Sequence, residues 1–330
     1  MPISALTAAA EGGDADSQFA LAKIYQAGSD GVAANVPQAL NWYFKAASQG
    51  HVLAQLHLGL LLLDGVTRVG GKRNPKQAFA WLSKAAQAGN AAAQYRLGMM
   101  LLDGDGTEKN ARAGIDWLDR ATLGGNADAQ FALGYRLVTG QDVAQDAGRG
   151  HQCLLEASKQ DHGDAMYHLG MLLEHGAGFD APNVPLAARL YTRAVAKHSH
   201  LAAAHDLAIL YAKGSGVERD MALAKELLEY AISAGDDKSM YDLGLLLMQK
   251  SQHQDLPAAV MWATLAVKHN PASAGARLLE ALAKIAAPEQ IDEGRRRAAA
   301  WQRTPKGITI VTLDGGGNQF ANLSFSSTDA

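Results

Sequence analysis

The chain is poor in the residue types that define several classes of protein. It has a single cysteine, Cys153, in 330 residues, which excludes an intramolecular disulfide framework. The surrounding sequence GHQCLLEA predicts a helix interior, so we expect Cys153 to be a small core residue rather than a reactive thiol. Aromatic residues make up 6% of the chain and hydrophobic residues 48%, which is typical of a helical protein rich in Ala and Leu.

Long apolar runs and a strong charge bias are missing as well. No apolar stretch reaches about 18 residues, so we predict no membrane insertion. The N-terminal MPISALTAAAEGG has neither the basic region nor the apolar region of a secretory signal. We predict a cytoplasmic protein, or a periplasmic one if a signal peptide has been removed. The net charge of −3 gives no broad electrostatic reason to bind nucleic acid, and we predict none as a partner.

The sequence also lacks familiar catalytic and cofactor-binding motifs. It contains no S-x-x-K, G-x-S-x-G or H-E-x-x-H. The segment GVTRVGGKR, which starts at Gly65, is a poor phosphate loop because its lysine falls one residue late and no Ser or Thr follows. We therefore predict that the protein is not an enzyme and has no cofactor.

Histidine is unevenly distributed along the chain. Seven of the eleven histidines lie between positions 151 and 205: His151, His162, His168, His175, His198, His200 and His205. A metal site or a pH-responsive site is one interpretation of this cluster. Because no Cys or carboxylate stands at ligand spacing, we favour ordinary surface or core imidazoles and predict no metal.

What the chain does have is an internal repeat. AAAQYRLGMMLLDG (Ala91–Gly104) returns in edited form as VLAQLHLGLLLLDG, ADAQFALGYRLVTG and GDAMYHLGMLLEHG. We call the small residue of its Leu-Gly step the anchor. The anchors are Ala22, Gly59, Gly98, Gly134, Gly170, Ala208 and Gly244. Their spacing of 36 to 39 residues is typical of a solenoid.

A second motif follows each anchor at about two-thirds of a period. It is clearest as WYFKAASQG at Trp42, WLSKAAQAG at Trp81 and WLDRATLGG at Trp117. Each repeat should therefore contain two helices of about 12 to 14 residues, an A helix that carries the anchor and a B helix that carries this motif. Glycine inside a helix costs about 1 kcal/mol against alanine, so its return at the anchor predicts close passage of a neighbouring helix.

The pattern divides the chain into four parts. We predict an N-terminal lead-in at 1–13, a solenoid of about seven repeats at 14–271 and a C-terminal capping pair of helices at 272–304. The tail, 305–330, contains GITIVTL and NQFANLSF around DGGG, which resembles a hairpin. Two strands alone are marginal in water, so we expect the tail to be disordered, docked on the last helices, or a strand offered to a partner edge. A strand in this tail would offer a route to homo-oligomers.

These motifs resemble the Sel-one-like repeat of the tetratricopeptide superfamily. The resemblance covers about four-fifths of the chain and is closest in AAAQYRLGMMLLDGDG followed by GIDWLDRATLGGNADAQ. It implies an all-α, right-handed superhelix of antiparallel helix pairs whose A helices line a concave groove. It also implies an adaptor or scaffold for proteins, or sometimes for cell-envelope components.

If the A helices line a groove, the positions three before, one after, and four to five after the anchor should face it. Tyr135 and His175 are the preferred candidates, because sibling repeats carry aliphatic residues or Asp there. Leu102 is also expected on this face. The full set of groove candidates is Tyr95, Met99, Asp103, Phe131, Tyr135, Thr139, Tyr167, Met171, His175, His205, Tyr241 and Gln249. The competing interpretation of the aromatic members is packing between repeats.

Three functions are compatible with these observations. The first is a non-catalytic scaffold that binds a partner protein or peptide in the concave groove. The second is a scaffold that binds cell-envelope glycan or peptidoglycan, which would require Trp42, Trp81 and Trp117 to be exposed for stacking on sugars. The third is a hydrolase acting on β-lactams or the cell wall, which the missing S-x-x-K disfavours.

Overall fold

The structure is a computed structural model that describes residues 2–29, 31–65 and 73–308. These residues form seventeen α-helices and no β-strand. In chain order the helices are α1 (Ile3–Glu11), α2 (Ala15–Ala27), α3 (Val36–Ser48), α4 (Val52–Asp64), α5 (Pro75–Gln87), α6 (Ala91–Asp103), α7 (Ala111–Leu123), α8 (Ala127–Thr139), α9 (Ala147–Lys159), α10 (Gly163–His175), α11 (Val184–His198), α12 (Leu201–Lys213), α13 (Met221–Ser233), α14 (Ser239–Met248), α15 (Leu256–His269), α16 (Gly275–Leu282) and α17 (Pro288–Ala300).

The predicted alternation of A and B helices is confirmed. The A helices are the even-numbered helices from α2 to α14, and the B helices are the odd-numbered helices from α3 to α15. The chain divides into two compact units, Met1–Ala157 and Ser158–Ala330. Within each unit, an A helix packs against the B helix of its own repeat and against the B helix before it.

Short polar side chains and glycines set the helix limits. Asn90 starts α6 and Asn110 starts α7, and each side-chain oxygen accepts a hydrogen bond from a backbone N–H in the first turn. Gly104 ends α6 in the left-handed conformation (φ 75°), which favours glycine. The helices therefore begin and end where the local sequence dictates, and their 13-residue length follows from the spacing of these caps.

The anchors lie where an A helix crosses the B helix of its own repeat. A Cβ on Gly98 would lie 2.9 Å from the carbonyl oxygen of Gly114, and a Cβ on Gly134 would lie 3.0 Å from that of Gly150. The predicted close passage is confirmed. At Gly59 and Gly170 the anchor makes room for the side chains of Leu82 and Tyr191 on the B helix. At Gly98 and Gly134 the partner is instead a second glycine on the B helix. Helix axes can approach this closely only where neither helix presents a side chain.

Buried glutamines connect the A helices α2, α4 and α6 to the helix that precedes each of them. The Nε2 groups of Gln55 and Gln94 donate to the backbone oxygens of Ala47 and Ala86, at 3.2 and 3.1 Å. Gln18 makes the equivalent bond to Ala10 of α1 at 3.0 Å. The Ala-Gln step of the repeat motif thus satisfies carbonyl groups at the end of the preceding helix.

The C-terminal helices α16 and α17 lie where the capping pair is predicted, and both pack on α15. Residues 301–308 have no regular secondary structure. The predicted hairpin and the suggested role of the tail in oligomers concern residues from 309 onward. These residues lie outside the described part of the chain. The same is true of the loop at 66–72. The four predicted domain boundaries stay predictions.

The glycine crossing generates a direct test. Gly98→Ala should lower the free energy of unfolding by about 1 to 3 kcal/mol, because the new methyl group meets backbone and the helices must separate. Gly148→Ala is the matched control: it also lies in a helix, but a Cβ there meets only the Asp146 carboxylate, at 3.9 Å. The control should be neutral or stabilising by up to about 1 kcal/mol. Urea denaturation of both variants measures the difference, and equal effects would contradict the crossing argument.

Candidate functional site

All twelve groove candidates are at least partly exposed. Eleven lie on A helices, and Gln249 follows the last residue of α14 as its C-cap. Tyr135 is 36% exposed. Leu102 is only 2% exposed and belongs to the core beneath α8, so the expectation that it faces the groove is wrong. Its side chain instead packs against Gly114 of α7, the B helix of the same repeat.

In the first unit the aromatic candidates divide into two kinds. Tyr95 and Met99 pack against the core that contains Leu118 and Leu133, which agrees with the packing interpretation. Burial raises the pKa of Tyr95 above its ordinary value. Phe131 and Tyr135 instead lie one turn apart on α8, with ring centroids 6.3 Å apart. These two are the more accessible aromatic pair of the unit.

Two polar candidates bond to their own helices. The Thr139 hydroxyl donates to the Tyr135 carbonyl oxygen at 2.9 Å. The Nδ1 atom of His175 lies 2.9 Å from the carbonyl oxygen of Met171. Both side chains are exposed, as is Asp103. They line the end of an A helix rather than a depression.

In the second unit, hydrogen bonds join consecutive A helices. His205 lies between two carboxylates: its Nδ1 is 2.9 Å from Asp206 Oδ1, and its Nε2 is 2.9 Å from Asp242 Oδ2. Tyr167 in turn lies beside Asp206: burial and the Asp206 carboxylate both raise the pKa of its phenol above the ordinary value. In each link the residue three before one anchor contacts the residue two before the next anchor. Consecutive repeats are thereby fixed in register.

The carboxylates hold His205 in its charged form. Burial alone would lower its pKa, but the hydrogen bonds and charges of Asp206 and Asp242 outweigh burial and raise the pKa to about 10. An imidazolium has a proton on each ring nitrogen, which suits two carboxylate acceptors. His205 is thus a cation at neutral pH, and it neutralises part of the acidic surface around it.

A cavity of about 320 Å³ lies beside this cation. It is open to solvent and brings together two groove candidates, His205 and Tyr241. The other polar groups in its wall are Asp237, Lys238, Asp242, Asn270 and Ser273. Carboxylate, ammonium, amide and phenol groups together can bind the backbone and a polar side chain of an extended peptide.

Asp206 and Asp242 were missed by sequence reasoning. The signal is present but weak, because the position two before the anchor is Ala20, His57, Arg96, Ala132 and His168 in the other repeats. Only the last two repeats carry Asp there. The link becomes evident when the residue two before one anchor is paired with the residue three before the anchor of the previous repeat.

Several histidines of the cluster have structural roles. His162 and His200 are the N-caps of α10 and α12, and each accepts a backbone N–H through Nδ1. His51 caps α4 in the same way. At these positions the imidazoles cap helices, where other repeats use the side chain of Asn. This agrees with the expectation of ordinary imidazoles. Within residues 2–29, 31–65 and 73–308, no group of three or more His, Cys, Asp or Glu could hold a metal ion.

The remaining chemical candidates are covered or inert. Cys153 is buried, and burial raises the pKa of its thiol to about 11, so the reactive thiolate is scarce at neutral pH. A cation covers one face of each tryptophan proposed for sugar stacking. The ring centroids of Trp42 and Trp81 lie 4.0 and 4.2 Å from Lys45 Nζ and Lys84 Nζ.

Comparison with known proteins agrees with the repeat architecture. The Sel1 repeat model matches seven consecutive segments: 15–51, 52–90, 91–126, 127–162, 163–199, 201–236 and 237–271. The chain belongs to the Sel1 repeat family. Repeats of this kind generally mediate protein–protein interactions. In the described part of the chain, no helix is long and apolar enough to cross a membrane.

Solved structures give the same result. The chain is similar to c5321, a protective antigen of uropathogenic Escherichia coli with an SLR fold, at 25% identity over 91% of this chain with a TM-score of 0.76. It spans 64% of the length of that protein. It is also similar to a Sel1 repeat protein from Oxalobacter formigenes, at 28% identity, 66% coverage of this chain, 85% coverage of that chain and a TM-score of 0.58. No curated protein sequence matches significantly.

The His205 link predicts a specific pH dependence of stability. Because the pKa in the folded state lies above the ordinary value of 6.5, the link stabilises the fold fully below pH 6.5 and is lost as the pH rises toward 10. His205→Gln should therefore be most destabilising near pH 6, and its penalty should shrink by roughly 2 to 4 kcal/mol by pH 10, at about 1.4 kcal/mol per pKa unit.

Chemical denaturation at pH 6, 8 and 10 measures that penalty. Groups elsewhere titrate equally in both proteins, so the difference between them isolates His205. A penalty that stays constant over this range would show that the imidazole is not charged in the folded state.

Proposed function

We propose that the protein is a non-catalytic scaffold that binds a partner protein or peptide along the exposed face of its A helices. The family supports the general role, since Sel1-type repeats are interaction modules. The choice of face rests on the aromatic and polar side chains that the A helices leave partly exposed, above all His205 and Tyr241 at the 320 Å³ cavity.

Some of these side chains are held in a fixed conformation, which supports a role in binding. Tyr167 and His205 are held by carboxylates of the next repeat, so they lose little freedom when a partner binds. Tyr and His rings fixed in this way present large contact surfaces with polar ends, which protein interfaces favour. Binding on this face therefore costs less conformational entropy than binding to mobile surface side chains.

The alternatives have weaker support. A glycan-binding scaffold would stack sugars on tryptophan, but Lys45 and Lys84 already cover one face of Trp42 and Trp81. A hydrolase would need an activated nucleophile. The thiol of Cys153 is buried with a pKa near 11, and no serine is followed by a lysine three residues later.

Affinity capture from an extract of the source organism tests the assignment of the face. Tyr241→Ala in the second unit and Tyr135→Ala in the first remove exposed A-helix aromatics without emptying the core. Loss of an interface aromatic should reduce recovery of a specific partner about tenfold, which corresponds to about 1.4 kcal/mol. Quantitative mass spectrometry of the captured proteins measures this loss.

The matched control is Leu123→Ser, which changes an 89% exposed side chain at the end of B helix α7. This control should retain every partner that the wild-type protein captures. The proposal fails if both A-helix variants keep all partners, or if the control loses the same partners as they do.

A further inference from the structure

The second unit contains a bound segment of its own chain. After α17, residues 301–306 lie across the B helices α13 and α15. Trp301 packs edge-on against Trp262 of α15, with ring centroids 5.7 Å apart. At the other end, the backbone N–H of Lys306 donates to Ser233 Oγ of α13 at 3.0 Å, and its Nζ pairs with Glu229. A non-helical segment with an aromatic residue and a charged residue thus fills the groove between two B helices.

The equivalent groove in the first unit lies between α3 and α5. Trp81 and Trp262 are each the first residue of their B-helix motif, so they correspond. Phe44 corresponds to Glu229, because each stands two residues after the first position of its motif. This groove forms a cavity of about 540 Å³ whose wall includes Leu40, Leu58 and Leu62.

Two aromatic rings mark this groove. The side chain of Phe44 is 53% exposed, although it packs edge-on against Trp81 with centroids 5.8 Å apart. Exposed phenylalanine at a concave apolar surface is uncommon unless a partner covers it. No segment within residues 2–29, 31–65 or 73–308 fills this groove as 301–306 fills the groove in the second unit.

The charge of the groove selects its occupant. Lys84 is the one charged residue among the nine that line the cavity, and within the described ranges no carboxylate pairs with it. Glu229, which holds the basic Lys306 in the second unit, corresponds to the apolar Phe44 here, and no carboxylate of the described residues lines this cavity. The basic 301–306 segment of a second copy would therefore find no acidic partner and would add positive charge to a groove that already contains Lys84, which is unfavourable. An acidic segment is complementary.

From this comparison we propose that the groove between α3 and α5 binds an extended segment of a partner protein that carries an aromatic residue followed by acidic residues. The aromatic ring packs against Phe44 and Trp81, and a carboxylate pairs with Lys84. Phe44, Trp81 and Lys84 all lie on B helices, so this site is distinct from the A-helix candidates of the proposed function.

Fluorescence anisotropy with two labelled peptides tests the proposal on the full chain. The probe is WQETPE, and the comparison is WQRTPK, the chain's own 301–306 sequence; both carry an N-terminal fluorescein and a C-terminal amide. We expect saturable binding of WQETPE that is at least about threefold tighter than binding of WQRTPK. The reason is that WQETPE carries two negative charges where WQRTPK carries two positive ones.

Two exposed-site variants make the result specific. Lys84→Glu should reverse the preference in favour of WQRTPK, and Phe44→Ser should weaken binding of WQETPE at least about fivefold. Circular dichroism verifies that both variants remain folded. Tyr241→Ala should bind WQETPE like the wild type, so failure of the A-helix proposal leaves this one intact.

Three results would overturn the proposal. The first is the absence of saturable WQETPE binding, and the second is binding that neither Lys84→Glu nor Phe44→Ser changes. The third is tighter binding of WQRTPK by the wild-type protein, which would identify a second copy of this chain as the occupant instead.

Discussion

The close crossing of A and B helices is the constraint on which the rest of the structure depends. At Gly98 and Gly114, and again at Gly134 and Gly150, each helix leaves a gap that the backbone of the other fills. Such contact fixes where along its length each helix meets its partner. The rotation of the A helix follows, and with it the set of side chains that enter the core.

Once the rotation is fixed, the neighbouring positions acquire defined roles. The residue four before the anchor points toward the preceding repeat, where Gln55 and Gln94 satisfy carbonyl groups of the B helix. In the second unit, the residues three and two before the anchor include Tyr167, His205, Asp206 and Asp242, which stay partly exposed and link adjoining A helices. A repeat without its own deep core is stabilised through these contacts with its neighbours.

Much of this was predictable from the sequence because it repeats in phase. The helix pairs of the repeats, their limits and the packing role of the anchor all follow from signals within a single repeat. Helix α1 does not, since it lies in the segment that was predicted only as a lead-in. The links of Tyr167 with Asp206 and of His205 with Asp242 do not, since each pairs positions in different repeats of the second unit. Leu102 was misplaced for a related reason: periodicity defines a helical face only to within about one residue, or 100°.

The differences between repeats carry the functional information. Every repeat keeps a small residue at the anchor, yet the position two before it changes from Arg96 to Asp206 and Asp242. Likewise, equivalent B-helix positions hold the apolar Phe44 in one unit and the acidic Glu229 in the other. Substitution at these positions leaves the crossing intact, because their side chains do not enter it. The fold can therefore present different chemistry in each repeat while its packing stays the same, and ligand specificity must arise from the positions that vary.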